Sequence, residues 1–276
     1  MVKQMVGSLE IILFFLGGVS GFLAGLLGIG GAIILIPMMI YILPYFGINL
    51  SMHEIMGLSM ALVFFAALTG AITHSKEGNL HKNLIIVVGG TMFFGSLFGA
   101  ITSSFVAERT LLIVFILVLA LATVLLLKPK EKETAEEAAS NADGSNTHTY
   151  MKSTKEKITG VSLGFSSGVL SGMVGVGGAA ILIPALTFFL KMPIKVCVGT
   201  SLGIILVGSA AGFFGKAVTG QIPFIPALFL AAGGILSSRL GSKLSIKLKG
   251  EHLKKIFAVV LVVTLARLIA TVLGIF

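Results

Sequence analysis

"GFLAGLLGIGGAIILIP" (Gly21–Pro37) and "GVLSGMVGVGGAAILIP" (Gly168–Pro184) are two copies of one pattern, 147 residues apart. Aligned at that offset, positions 17–37 and 164–184 agree at thirteen of twenty-one places. The shared residues include Gly17, Gly21 and Gly25 with Gly164, Gly168 and Gly172, then Gly28, Gly30, Gly31 and Pro37 with Gly175, Gly177, Gly178 and Pro184. A nucleotide-binding loop is one reading of such glycines. It fails because neither copy spells G-x-G-x-x-G, no Lys-Ser/Thr pair follows, and no soluble βαβ context surrounds them.

The solvent of the chain decides what remains. Of 276 residues, 56% are hydrophobic and 11% charged, with a mean hydropathy of +1.06. A soluble domain carries roughly a quarter charged residues, so most of this surface must face lipid. The net charge of +9 then marks loops at a membrane face rather than a nucleic-acid surface. There is no Trp, and the basic residues are not interleaved with aromatics as RNA binding requires. The single cysteine, Cys197, excludes an internal disulfide, and His53, His74, His81, His148 and His252 lack the spacing of metal ligands. No cofactor is implied. The first apolar run, from Leu9, lacks a small-residue cleavage signature and reads as a retained membrane segment.

Apolar runs between polar punctuation predict an all-α polytopic membrane protein of about ten hydrophobic segments. They are 9–28, 31–46, 54–73, 83–105 and 108–127, then 158–175, 178–190, 195–215, 222–240 and 252–275. Most approach the ~20 residues that cross a bilayer as helix. The second and seventh are shorter and read as half-helices or as arms of re-entrant hairpins. Residues 1–127 form one transmembrane repeat and 158–276 the other. Between them, "KPKEKETAEEAASNADGSNTHTYMKSTKEK" (128–157) holds six of the eleven acidic residues and reads as a hydrophilic linker.

If the chain crosses at every segment, sixteen Lys and Arg gather on one face, with the linker, and three (Lys3, Arg109, Lys216) on the other. The positive-inside bias therefore predicts a cytoplasmic linker and extracytoplasmic termini in a cell membrane. Five segments per half make the second half an inverted copy of the first. Inverted repeats are the plan of many secondary transporters, with the substrate near the midplane where they meet.

Within this plan the glycines divide. Those at 17/21/25 and 164/168/172 recur every four residues and predict close helix packing. "GIGGA" and "GVGGA" predict breaks instead, since each glycine costs up to about 1 kcal/mol in a helix. A break is tolerable in lipid where it lines a polar cavity. It would leave free N–H groups and the positive dipole end of the next helix, which together make an anion site. A plain tight turn is the alternative. Further on the register shifts: "GLSMAL" (57–62) faces "GTSLGI" (199–204), and Gly70 faces Gly212. Ser59, Thr200 and Ser201 could donate hydroxyls to a substrate oxygen, or bond back to their own helix carbonyls. His74 aligns with Lys216, a basic group at matching ends of two helices, either gates or snorkelling end charges. Arg267, about twelve residues into the last run, could contact an anion, an interface or a partner helix. No carboxylate lies mid-segment, which disfavours a proton or metal-cation carrier.

"GLLGIGGAIILIP", "SGMVGVGGAAILIP" and "GTSL" resemble the sulfite exporter TauE/SafE family of membrane permeases, over essentially the whole chain apart from the linker. The resemblance implies movement of small anions such as sulfite, sulfonates, thiosulfate or related carboxylates. It places the substrate contacts on Gly28, Gly30, Gly31, Gly175, Gly177, Gly178, Thr200 and Ser201, with Ser59 alone for the hydroxyl role in the first half, where "GLSM" replaces "GTSL". The expected partners are the small anion, a coupling ion (proton or sodium), the lipid bilayer and, if oligomeric, a second copy as a homodimer. The rival expectations are a cation or metal permease and a non-transporting membrane scaffold; no residue set suggests an intramembrane enzyme.

Overall fold

The computed structural model describes residues 2–76, 80–127, 154–189 and 194–272, and no strand occurs among them. The helices are α1 (Val2–Leu27), α2 (Ala32–Ile42, continued by a 3-10 turn, Leu43–Phe46), α3 (Met52–Ser75), α4 (Lys82–Ser103), α5 (Glu108–Leu127), α6 (Thr154–Val174), α7 (Ala179–Phe189), α8 (Ile194–Val218), α9 (Phe224–Lys247) and α10 (Gly250–Val272). Among the described residues six helices are long and apolar enough to cross a membrane: Leu9–Leu27, α3, α4, Glu108–Leu125, Val196–Val218 and α9. The expected linker falls on residues outside the described set up to 153, and α6 begins at Thr154, inside its last residues. α9 also runs past the predicted end at 240, because its Ser-, Arg- and Lys-rich final turns stay helical. Polar residues at a membrane edge punctuate hydropathy without ending a helix.

Local chemistry sets several boundaries. Ser51 and Glu54 form a capping box at the start of α3: the Glu54 N–H donates to Ser51 Oγ (3.2 Å), and the Ser51 N–H donates to Glu54 Oε2 (2.8 Å). Pro44 opens the 3-10 turn after α2, and Gly47, at φ 72°, closes it. A π-turn, Ile85–Gly89, interrupts α4 near its start.

α3 and α8 form the centre, more thoroughly buried than the other spans. Around them the two halves interlock. α1 packs most extensively on α9, and α6 on α4. Both crossings rest on bare glycine. A Cβ on Gly17 would strike the Leu230 carbonyl, one on Gly21 would lie 2.5 Å from Gly234 Cα, and one on Gly25 would strike the Ser238 carbonyl. In the second pair, Gly168 and Gly172 lie against the carbonyls of Met92 and Ser96. The first helix of each half is thus seated on the fourth helix of the other. Outward-facing Phe15, Phe94, Leu117, Leu236 and Val259 are exposed and supply an apolar perimeter. A soluble monomer would not tolerate so continuous a surface, whereas acyl chains solvate it.

Gly25→Leu and Gly99→Leu should each destabilise the protein by about 1–3 kcal/mol through overpacking against a backbone carbonyl. Gly18→Leu, whose Cβ has nothing within 4 Å, should match the parent. Thermal unfolding in detergent, followed by size-exclusion profile, distinguishes the three.

Candidate functional site: two helix breaks tied crosswise

Helix stops at Leu27 and resumes at Ala32; it stops again at Val174 and resumes at Ala179. In the four residues between, Gly28, Gly30 and Gly31 have φ of 70°, 73° and 81°, and Gly175, Gly177 and Gly178 have 77°, 74° and 69°. The left-handed region costs an L-residue about 1–2 kcal/mol, so three such positions in four residues demand glycine. Both motifs are therefore true breaks.

Each break is held by a serine from the other half. Ser59 Oγ, on α3, donates to the Gly175 carbonyl at 2.9 Å, sharing its proton with its own Met56 carbonyl at 2.9 Å. Ser201 Oγ, on α8, donates to the Gly28 carbonyl at 3.2 Å and to its own Val198 carbonyl at 2.9 Å. Both serines are fully buried. In this conformation their protons are therefore committed to carbonyls, the back-bond to the helix being only part of the arrangement. Thr200 stands apart from the breaks: its hydroxyl accepts from the His81 N–H at 3.2 Å.

The two breaks also meet. A Cβ on Gly30 would lie 3.0 Å from Val63 Cγ1 and 3.5 Å from the Val176 carbonyl. A Cβ on Gly177 would overlap Val63 Cγ1 and lie 3.2 Å from Ile205 Cγ2. Val63 and Ile205 occupy the same place in α3 and α8, four residues beyond Ser59 and Ser201. Residues 28–31 and 174–178 are all buried, so the breaks are packed together and closed.

Beyond each break a helix begins directly after a glycine. Gly31 is the N-cap of α2 and receives no side-chain hydrogen bond. The Ile34 and Leu35 N–H groups share the Gly31 carbonyl (3.2 and 3.1 Å), and Ile181 and Leu182 share that of Gly178 (3.2 and 2.9 Å). The N–H groups of Ala32 and Ile33 precede the helix's own hydrogen-bond ladder, which starts at Ile34 and Leu35. Two positive helix ends thus start in the region where the breaks converge.

Lys216 belongs to the same construction. Fully buried near the end of α8, its Nζ donates to Gln221 Oε1 (2.8 Å), Ser103 Oγ (3.0 Å) and the Met173 carbonyl (3.3 Å). Three ammonium protons meet three neutral acceptors, with no carboxylate among them. Met173 lies in the last turn of α6, so Lys216 places its charge at the negative end of that helix, beside the second break. His74, its counterpart on α3, is 2% exposed, and neither ring nitrogen has a hydrogen-bond partner. Arg267 is not brought to the breaks. It is exposed on α10 and borders a cleft of about 690 Å³ with Pro37, Met38 and Tyr41, whose hydroxyl donates to the Arg267 carbonyl at 3.1 Å.

Sequence reasoning missed Val63, Ile205, Ser103 and Gln221. An apolar residue among apolar residues carries no signal. Ser103 and Gln221 sit at helix ends, where polar residues are ordinary. The equal spacing from Ser59 to Val63 and from Ser201 to Ile205 was the available clue.

A family profile described as "Sulfite exporter TauE/SafE" matches residues 13–268, both breaks included. The chain belongs to the sulfite exporter TauE/SafE family. It is similar to two proteins of Bacillus subtilis (strain 168) named as probable membrane transporter proteins. It is 24% identical to YunE over 269 residues, covering 94% of this chain and 97% of that protein. It is 28% identical to YdhB over 235 residues, covering 84% and 87%. A probable membrane transporter protein of Methanocaldococcus jannaschii is 26% identical over 253 residues, covering 88% and 89%. No solved structure matches the chain. The TauE/SafE membership and the six apolar helices make this a multi-pass membrane protein of a transporter family, not of an enzyme class.

Two measurements test the geometry. Ser59→Ala and Ser201→Ala should each cost about 0.5–2 kcal/mol, the range of hydrogen bonds between membrane helices, read as a lowered thermal midpoint. Gly177→Ala should cost more, and Val63→Ala in the same chain should recover the steric part while the positive-φ strain persists. A double-mutant cycle with no coupling between positions 63 and 177 would contradict the packing described.

Proposed function

We propose that this TauE/SafE protein is a secondary transporter, acting as an exporter, of small organic or inorganic anions of the sulfite or sulfonate type, and that it works by alternating access. The observation that carries the reading is the crosswise tie: each half contributes a broken helix and a serine that holds the break of the other. Such a pair can exchange roles when the halves rock against each other. The packed state then has its site closed, and opening frees the serine hydroxyls and the first-turn N–H groups of α2 and α7 for an oxyanion.

Charge supports an anion. Lys216 brings an ammonium to the second break without a carboxylate to neutralise it, and an unpaired buried charge favours a counter-ion. The rival cation permease would draw on an acidic residue such as Glu54. Glu54, its candidate, is occupied in the capping box of α3, where Ser51 N and Oγ donate to it at 2.8 and 2.9 Å. The family takes its name from sulfite export, and the relatives are named only as probable membrane transporters.

In this reading the two repeats are inverted, with all ten helical segments in the membrane and the 128–157 linker in the cytoplasm. α2 and α7, with eleven residues each, are about 16 Å long and enter as half-helices rather than full crossings. A proton or sodium ion supplies the coupling. His74 and Lys216 guard the two sides of the site as gates, at equivalent ends of α3 and α8.

Counterflow in proteoliposomes, with labelled sulfite, thiosulfate, sulfonates and short carboxylates, tests the proposal. At least one anion should exchange. Gly30→Val and Gly177→Val should abolish exchange while the chain still inserts, and Lys216→Met should reduce it at least tenfold, the scale of a lost charge-assisted contact of about 1.5–3 kcal/mol. Exchange at the parent rate in all three variants, or cation flux dependent on Glu54, would refute it.

A further inference from the structure

A second charged feature lies away from the breaks. Where α3 and α9 end, they enclose a groove of about 690 Å³ lined by Thr69, Thr73 and Lys76 on one side and Arg239, Lys243 and Lys247 on the other, with Ile72 and Ile246 between. All four basic residues are exposed, and among the described residues no acidic one lines the groove. The contact of His53 Nδ1 with Glu108 Oε1, at 3.8 Å, lies elsewhere.

Arg239, Lys243 and Lys247 recur every four residues, so they stand in one row about 12 Å long on α9. Like charges at that spacing repel, and the row is unfavourable unless something negative lies along it. The helix dipole accounts for Lys247 in the last turn. It does not account for Arg239, eight residues before the helix end, since its influence fades within one turn. The flank of the groove is apolar and exposed: Ile72 is 51%, Leu236 64% and Leu240 62% accessible. The groove therefore opens on the perimeter that acyl chains cover. A molecule that satisfies both surfaces carries phosphate at one end and hydrocarbon at the other. Arginine matches phosphate oxygens in a bidentate fork, with the lysines as point charges around it.

We infer that the α3–α9 groove binds the headgroup of an anionic glycerophospholipid, its phosphate seated on Arg239, Lys243, Lys247 and Lys76 and its acyl chains lying along Ile72, Leu236 and Leu240. The inference rests on this groove alone, independent of the transported anion. Lipid regulation of the α3 end would follow from such a site, because the same helix carries Ser59, Val63 and His74.

Native mass spectrometry of the full chain, mixed with equal amounts of phosphatidylglycerol and phosphatidylcholine of identical chains, is the test. The parent should retain phosphatidylglycerol preferentially. A basic residue near a membrane surface contributes about a fivefold preference, so Arg239→Ala, Lys243→Ala and Lys247→Ala together should erase a preference of more than tenfold. Arg239→Lys should lose only part of it, which guards against a folding defect in the triple variant. Arg109→Ala, exposed on α5, should keep it. The inference is overturned if the folded triple variant still prefers phosphatidylglycerol, or if the parent shows no preference. It is equally overturned if millimolar inorganic phosphate displaces the lipid, for then the groove takes free anions.

Discussion

Two hydroxyl-to-carbonyl bonds organise this protein. A helix broken in a membrane frees carbonyls at one side of the break and N–H groups at the other, and lipid satisfies neither. Here the Gly28 and Gly175 carbonyls are met by Ser201 and Ser59, each borrowed from the opposite half. The consequences reach outward. The serines require α3 and α8 at the centre, and the close approach of each serine's helix to the break excludes any side chain at Gly28 or Gly175. The apposed breaks pack against Val63, and the second also against Ile205.

The two breaks are built alike, but the basic groups beside them are not, and the difference bears on the proposed function. Lys216 reaches Met173, Ser103 and Gln221, whereas His74, in the equivalent place, has no hydrogen-bond partner on either nitrogen. One half therefore has its basic group engaged at the end of a broken helix and the other does not. In the proposed alternating-access cycle, this inequality distinguishes the two ends of the site. The proposed anion enters the same balance, because it offers Lys216 a charged partner in place of neutral ones.

Much of this was legible in the chain. The doubled glycine pattern located both breaks, and the four-residue glycine spacing announced a close-packed face on α1 and on α6 without naming α9 and α4 as the partners. Ser59 and Ser201 stood out by alignment. Their acceptors did not, since Gly175 and Gly28 are 116 and 173 residues distant, and no local pattern encodes contacts of that range. For Arg267 the sequence left an anion, an interface or a partner helix open, and the residue lies on an exposed face of α10. Hydropathy places a residue along a helix and leaves its rotational setting open.

The exchange of helices between halves also has a bearing on biosynthesis. The glycine face of α1 finds its seat on α9, more than two hundred residues later in the chain. At translation speeds of 5–20 residues per second, α1 waits roughly 10–40 s after leaving the ribosome before its partner exists. During that interval neither half is a folding unit, and the early helices must be sheltered by the insertion machinery or by lipid alone. A nascent chain stalled before α9 is thus the species most exposed to quality-control proteolysis.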